Sequence, residues 1–296
     1  MHCRLWGFFF VCPKEEFVMK RSTKIMLSAV AVVAALVCIV CCLLIFQYVR
    51  GGMLNEEVEE LVTQEKDVQL VATVPTPTNQ TEVQKPEPAP EQPQETTPDW
   101  YLHVNFEALS KINEDIYAWI DIPGTPVSYA VVQSPTNDLF YNNHAVDKSY
   151  YSGGSIYSQR HNAKDFLDPV TVLYGHNRTT DTMFAPVNNF AASDFFEANP
   201  YIYIYTPDTV YEYQIFAAYP HSSEHLLLNY DFTSEEQFNG YFAALTNSID
   251  SNYRTELFPE AGDRVITLST CYKSNRMQRY LVQGVLTMEY TIIREN

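Results

Sequence analysis

The sequence predicts a mainly β domain, a closed or nearly closed barrel with flanking helices, set behind an apolar span and a stalk. Three observations carry this. Eight strand-like runs follow one another between residues 118 and 290, broken mostly by short polar or Gly/Pro-containing stretches. Tyrosine (21) and phenylalanine (17) are plentiful and glycine (10) is scarce, which suits half-buried pleated surfaces. Residues 25–49 carry no charge at all.

That uncharged segment, IMLSAVAVVAALVCIVCCLLIFQYV, is 25 residues long. At about 1.5 Å per residue it spans a hydrocarbon layer of about 30 Å with length left for tilt. Apolar residues continue well past the weak small-residue site at Ala34-Ala35, so an uncleaved anchor is expected. Lys14, Lys20, Arg21 and Lys24 precede the span, and Glu56, Glu57, Glu59 and Glu60 follow it. This asymmetry predicts a cytoplasmic N-terminus (1–24), a membrane anchor (25–49) and everything later outside the cell. Met19 opens MKRSTK and is a second candidate start.

Residues 50–98 read as a stalk. Its acidic first part, NEEVEELVTQEKDVQLV, has helical spacing, and its second part is rich in proline and polar residues that bury no core. Extended as polyproline II at about 3.1 Å per residue, residues 71–98 reach roughly 85 Å. From residue 99 to 296 the pattern is globular. FEALSKINEDIYAWI opens it with apolar residues at helical spacing (Phe106, Leu109, Ile112, Ile116). The strand runs are AWIDIPG, PVSYAVVQ, GGSIYS, PVTVLYG, YIYIYTPD, TVYEYQIFAAYP, RVITLSTC and RYLVQGVLTMEY, the fifth and sixth forming a hairpin about Pro207-Asp208. One late helix is expected over 233–249, opened by a capping box from Thr233 to Glu236.

The net charge of −17 argues against a nucleic-acid partner, because phosphate binding needs a basic face. No paired His or Cys ligand spacing appears, so neither a metal nor another cofactor is expected. Of six cysteines, Cys3, Cys12, Cys38, Cys41 and Cys42 lie in or before the span, leaving Cys271 alone in the globular part. A single thiol forms no internal disulfide, and in an exported domain its presence asks for a reason.

Cys271 ends the run VITLSTC, where alternation puts Thr267, Ser269 and Cys271 on one face and Ile266, Leu268 and Thr270 on the other. Seven residues join it to the strand opened by Arg279. If these strands pair antiparallel, Arg279 comes beside Cys271; Arg276 is the rival, placed within the loop. His176 follows PVTVL in the string Tyr174-Gly175-His176-Asn177, again at a strand end. His103, His144, His161, His221 and His225 lie in polar or loop-like surroundings without that placement, and His2 precedes the span. A nucleophile, a proton carrier and a cationic oxyanion donor are what acyl transfer through a thiol needs. Asn177, Ser269 and Thr270 are candidates for shaping the site, and packing at the strand ends explains them equally well.

At these residues the chain resembles the sortase family. TLSTC (267–271) followed by Arg279 is similar to the sortase signature, and YGHN (174–177) to its histidine motif. Residues 115–133 and 153–160, with the helix at 233–249, resemble class B members, and the likeness covers roughly 99–290. Class B members often carry an acidic residue soon after the cysteine; here Tyr272-Lys273 follows. The resemblance implies a barrel of about eight strands and a cysteine transpeptidase with Cys271 as nucleophile, His176 as proton shuttle and Arg279 as oxyanion stabiliser. It implies sorting-signal-bearing surface proteins as acyl donors. The acceptor is then an amine of a peptidoglycan precursor or cross-bridge, or a pilin lysine. Papain-like folds put the cysteine before the histidine, and the His-Gly-Cys string of L,D-transpeptidases is absent. A non-catalytic wall-binding or scaffold domain on the same barrel is the alternative reading.

Overall fold

The computed structural model describes residues 21–63, 68–75, 101–245, 249–275 and 277–293. The Pro-rich part of the expected stalk and Arg276 lie outside them. By its contacts the chain divides into two units, Met1–Phe46 and Gln47–Asn296. The described residues of the first belong to one helix, α1 (Arg21–Glu59), whose last turns fall in the second unit. From Val30 to Phe46 its large apolar side chains are more than half exposed on every face, as a helix in lipid presents them. Ser28–Glu59 is long and apolar enough to cross a membrane.

In chain order the second unit contains β1 (Val62–Thr63), β2 (Gln69–Thr73), β3 (His103–Val104), α2 (Phe106–Ile112), β4 (Ile116–Asp121), β5 (Ser128–Val132), β6 (Ile156–Ser158) and β7 (Val170–Tyr174). Then come α3 (Ser193–Ala198), β8 (Tyr201–Tyr205), β9 (Thr209–His221), α4 (Leu226–Asn229), α5 (Glu235–Ala243), β10 (Asn252–Tyr253), β11 (Val265–Cys271) and β12 (Arg279–Ile293). All eight runs expected from the sequence are strands. They order β9–β8–β4–β5–β6–β7–β11–β12, and β12 returns to pair with β9 along most of its length, closing an eight-stranded barrel. Pairing is antiparallel except at β5–β6 and β7–β11. The short β10 extends the free edge of β9, and β2 extends that of β12 beyond β11.

Alternation along the strands fills the barrel. Ile120, Leu173, Ile204, Ile215, Ile266, Leu268 and Val282 point inward, each fully buried in one cluster. Each such side chain contributes about 1.5–3 kcal/mol by leaving water. The outer face is covered twice. Trp119, Val132 and Tyr205 lie under α2 and the segment around Val58 and Leu70. Phe216, Val172 and Leu281 pack with Phe238 and Phe242 of α5.

Three expectations are corrected. The helix opening the domain ends at Ile112, not near Ile120. Asn113 takes an extended conformation (φ −163°, ψ 123°), and its side-chain amide donates to Tyr141 Oη and the Val146 carbonyl, both at 2.7 Å. Ile116 then begins β4, so its apolar spacing serves a strand. The late helix is capped by Ser234, whose hydroxyl accepts from Gln237 N–H at 3.4 Å, while Thr233 Oγ1 donates to Asp231 at 2.6 Å. The stalk is not free from residue 50: α1 continues to Glu59, and β2 joins the sheet through β12, with Val58 and Leu70 only 3% and 1% exposed. Apolar residues at this spacing have a surface to bury against, which composition does not reveal.

Candidate active site

Cys271 is the last residue of β11 and Arg279 the first of β12, and the two are the terminal register pair of that ladder. Their side chains share a face. Arg279 Nη1 donates to Cys271 Sγ at 2.9 Å, a charge-assisted contact when the sulfur is a thiolate. The Cys271 carbonyl is held from the far side by Asn177 Nδ2 at 2.9 Å and Asn188 Nδ2 at 3.3 Å. Asn188 Oδ1 in turn accepts from Lys273 N–H at 2.7 Å, so one buried amide pins the chain before and after the turn.

His176 reaches the same end of the barrel by another route. β7 runs parallel to β11 with Tyr174 opposite Ser269, and Gly175 N–H donates to the Ser269 carbonyl at 3.2 Å. Two further residues along each strand lie His176 and Cys271. Gly175 has no room for a side chain: a Cβ there would stand 2.6 Å from Ile156 and 2.7 Å from the Phe184 ring. The imidazole Nε2 lies 2.7 Å from the Asn142 carbonyl. A carbonyl only accepts, so the imidazole donates to it through Nε2. Among the described residues no hydrogen bond joins the imidazole to the thiol; proton transfer between them requires a turn of one side chain or an intervening substrate.

A groove of about 180 Å³ runs from Arg279 between β7, β11 and the segment before α4, with Thr267, Ser269 and Tyr174 on its floor. Thr267 and Ser269 share the Cys271 face, as alternation predicts. Tyr157 stands close by, its hydroxyl pushed up to about 12 mainly by burial, with Arg279 pulling the other way. It stays a neutral phenol at working pH.

Sequence reasoning set His221 and His225 aside as loop residues, yet both line this groove. His221 pairs with Arg279 across the β12–β9 closure. His225 Nε2 lies 2.5 Å from Gln159 Oε1, and its ring sits 5.1 Å from that of His161. Burial first, and then His161, hold the His225 imidazole below its ordinary range. The barrel closure that brings them here joins residues far apart in the chain and leaves no local motif. Beyond the cysteine, the Tyr272 hydroxyl donates to Asp250, and Tyr272 stacks on Tyr280 with ring centroids 5.6 Å apart.

A closed barrel that carries a cysteine, an arginine and a histidine at the ends of three neighbouring strands has the groups that acyl transfer through a thiol uses. Residues 120–287, more than half of the chain, match the Sortase domain family model, and the chain belongs to the sortase family. It is 32% identical over 180 residues to Sortase B of Listeria monocytogenes, covering 60% of this chain and 72% of that protein. It is 29% identical over 171 residues to Sortase B of Staphylococcus aureus, covering 58% and 69%. Among solved structures it is similar to Clostridium perfringens Sortase B (TM-score 0.56, 30% identity, 62% of this chain and 99% of that one). It is also similar to a Staphylococcus aureus Sortase B–substrate complex (TM-score 0.54, 28% identity, 64% and 85%). The likeness is to class B, and the activity is that of a cysteine transpeptidase that anchors surface proteins.

Proposed function

We propose that Cys271 is the nucleophile, Arg279 the oxyanion and acyl-chain donor, and His176 the proton shuttle of this transpeptidase. The observation that carries the reading is the 2.9 Å contact between the Arg279 guanidinium and the Cys271 sulfur. The Cys271 thiolate attacks the scissile carbonyl carbon of a sorting signal; a C–S bond forms and oxygen takes up the charge beside Arg279. As the tetrahedral species collapses, the C–N bond breaks and His176, charged by the proton it took from the Cys271 thiol, delivers that proton to the departing amine. An amine of the cell wall then attacks the thioester carbon. His176 accepts its proton, the new C–N bond forms and the C–S bond breaks, so no oxidant or reductant is needed.

The groove beside Thr267, Ser269 and Tyr174 is the acyl-donor channel in this reading, supported by Arg279 being part of its lining. Helix α1 anchors the enzyme, and the basic flank before it against the acidic flank after it favours an extracellular catalytic unit. The acceptor is a peptidoglycan precursor or cross-bridge amine, or a lysine of a pilin. The test is to incubate the protein with a peptide library and triglycine and identify joined products by mass spectrometry. A thioester adduct on Cys271, lost in Cys271→Ala, is expected. Peptide joining that survives Cys271→Ala would overturn the assignment.

A further inference from the structure

Arg178 lies two residues beyond His176 and is held in an unusual way. Its guanidinium carbon is 5.4 Å from the Tyr48 ring centroid and 5.6 Å from that of Tyr151. The two rings are 6.3 Å apart and tilted by 46°. Arg178 Nε is buried and has no hydrogen-bond partner among the described residues, so aromatic faces hold that end of the side chain. Tyr48 belongs to the last turns of α1. One turn further on, Gly51 lies against Tyr151 so closely that a Cβ would come within 2.3 Å of the ring, and Arg50 pairs with Asp147 at 3.1 Å.

The segment that carries Tyr151 also carries the partner of the catalytic imidazole. Tyr151 N–H donates to the Asn143 carbonyl at 3.0 Å, and Ser155 N–H to the Tyr141 carbonyl at 2.9 Å. Between them Gly154 (φ +61°) packs where a Cβ would stand 2.7 Å from the Asn142 oxygen. That oxygen accepts from His176 Nε2. A closed circuit results. His176 is gripped on one side by Asn142 and on the other by its own chain through Arg178, and both grips end on Tyr151 and the helix face of Tyr48 and Gly51.

We propose that Arg178 is a positioning residue for His176, and that the helix segment Gln47–Glu59 acts through Tyr48 to hold the histidine loop in register with Cys271. This rests on the reading of His176 as the proton shuttle. Tyr48 is 42% exposed, so the clamp closes on the surface and opens without disturbing the core. The end of the apolar span thereby reaches the proton-transfer step.

The test uses the full chain in detergent micelles, with a pentapeptide substrate selected from a library and triglycine as acceptor. Arg178→Ala and Tyr48→Ala are expected to lower kcat about tenfold each with KM within twofold, because substrate binding lies at Arg279 and not at this clamp. The double variant falls no further than the weaker single one, as residues of one unit are non-additive. Arg178→Lys and Tyr48→Phe, which keep a cation and a ring face, recover most of kcat. A wild-type kcat in folded Arg178→Ala and Tyr48→Ala, or a loss confined to KM, overturns the inference. His176→Ala separates the two levels. If it turns over normally, the site reading itself falls; if it is inactive while Arg178→Ala is silent, only the clamp falls.

Discussion

Cys271 and Arg279 face each other across the last rung of the β11–β12 ladder, and the guanidinium of one bonds the sulfur of the other. Register brings two Cβ atoms to about 5 Å, and only a long side chain that folds back then places an N–H on sulfur. Arg279→Ala is therefore expected to lower kcat/KM by about 10²–10³, the usual cost of one oxyanion donor. Arg279→Lys keeps the charge but loses the planar fork and recovers only part of that loss. Steady-state kinetics on the three proteins decide it; equal rates in wild type and Arg279→Ala would remove Arg279 from the mechanism.

Asn188 reaches both sides of the turn that follows Cys271. Asn188→Ala removes a hydrogen bond to the Cys271 carbonyl and leaves Lys273 N–H without its acceptor. A loss of about 1–3 kcal/mol in stability follows from an unsatisfied buried group, together with slower thioester formation. Asn188→Asp keeps an acceptor for Lys273 N–H but cannot donate to the carbonyl. Denaturant melts paired with single-turnover acylation distinguish these effects, and no change in either refutes the role.

Asp121 gives the fold a pH signature. Its carboxyl is pushed up to about 6, chiefly by burial, with a hydrogen bond from Ser128 opposing and the Glu59 charge assisting. A folded-state value above the unfolded one means that the folded chain binds the extra proton. The contribution is fully present below about pH 4 and is lost as pH rises through about 6. Asp121→Asn is expected to match wild type near pH 4 and exceed it by about 1–2 kcal/mol at pH 8, after allowance for partial exposure. Thermal melts of both proteins across that range test it, and a constant difference would exclude the titration.

Leu70 lies within the expected stalk yet packs on the barrel. It sits on β2, paired opposite Ile292, and is 1% exposed. Leu70→Ala is expected to destabilise the catalytic unit by about 2–5 kcal/mol, the cost of a cavity in a packed cluster. A free linker residue would change nothing, so a melt of the variant measures directly whether this segment belongs to the fold.

The strands were legible because each alternates over a run bounded by turn residues, and the contact of Cys271 with Arg279 follows from two such runs joined by a short loop. His176 was legible as a strand-end residue after Gly175. What failed was long-range. The predicted barrel closure carries no register of its own, so the pairing of His221 with Arg279 was not legible, and His221 and His225 read as lying in polar or loop-like surroundings. Asn188 lies in a short turn without periodicity, and the Asn142 contribution is a main-chain oxygen, to which side-chain identity gives no clue. The β2 segment looked like linker because five residues carry too little pattern to predict a partner some two hundred residues away.

The parallel pairing of β7 with β11 has a consequence for biogenesis. Histidine and cysteine arrive on neighbouring strands only after the intervening hairpin, the helices α3–α5 and β10 have all been made, and β12 must follow to seal the cylinder. A ribosome-bound intermediate that stops at β9 carries His176 without Cys271. Contacts this distant in sequence form slowly. Order of synthesis alone thus keeps His176 and Cys271 apart until β11 has been made.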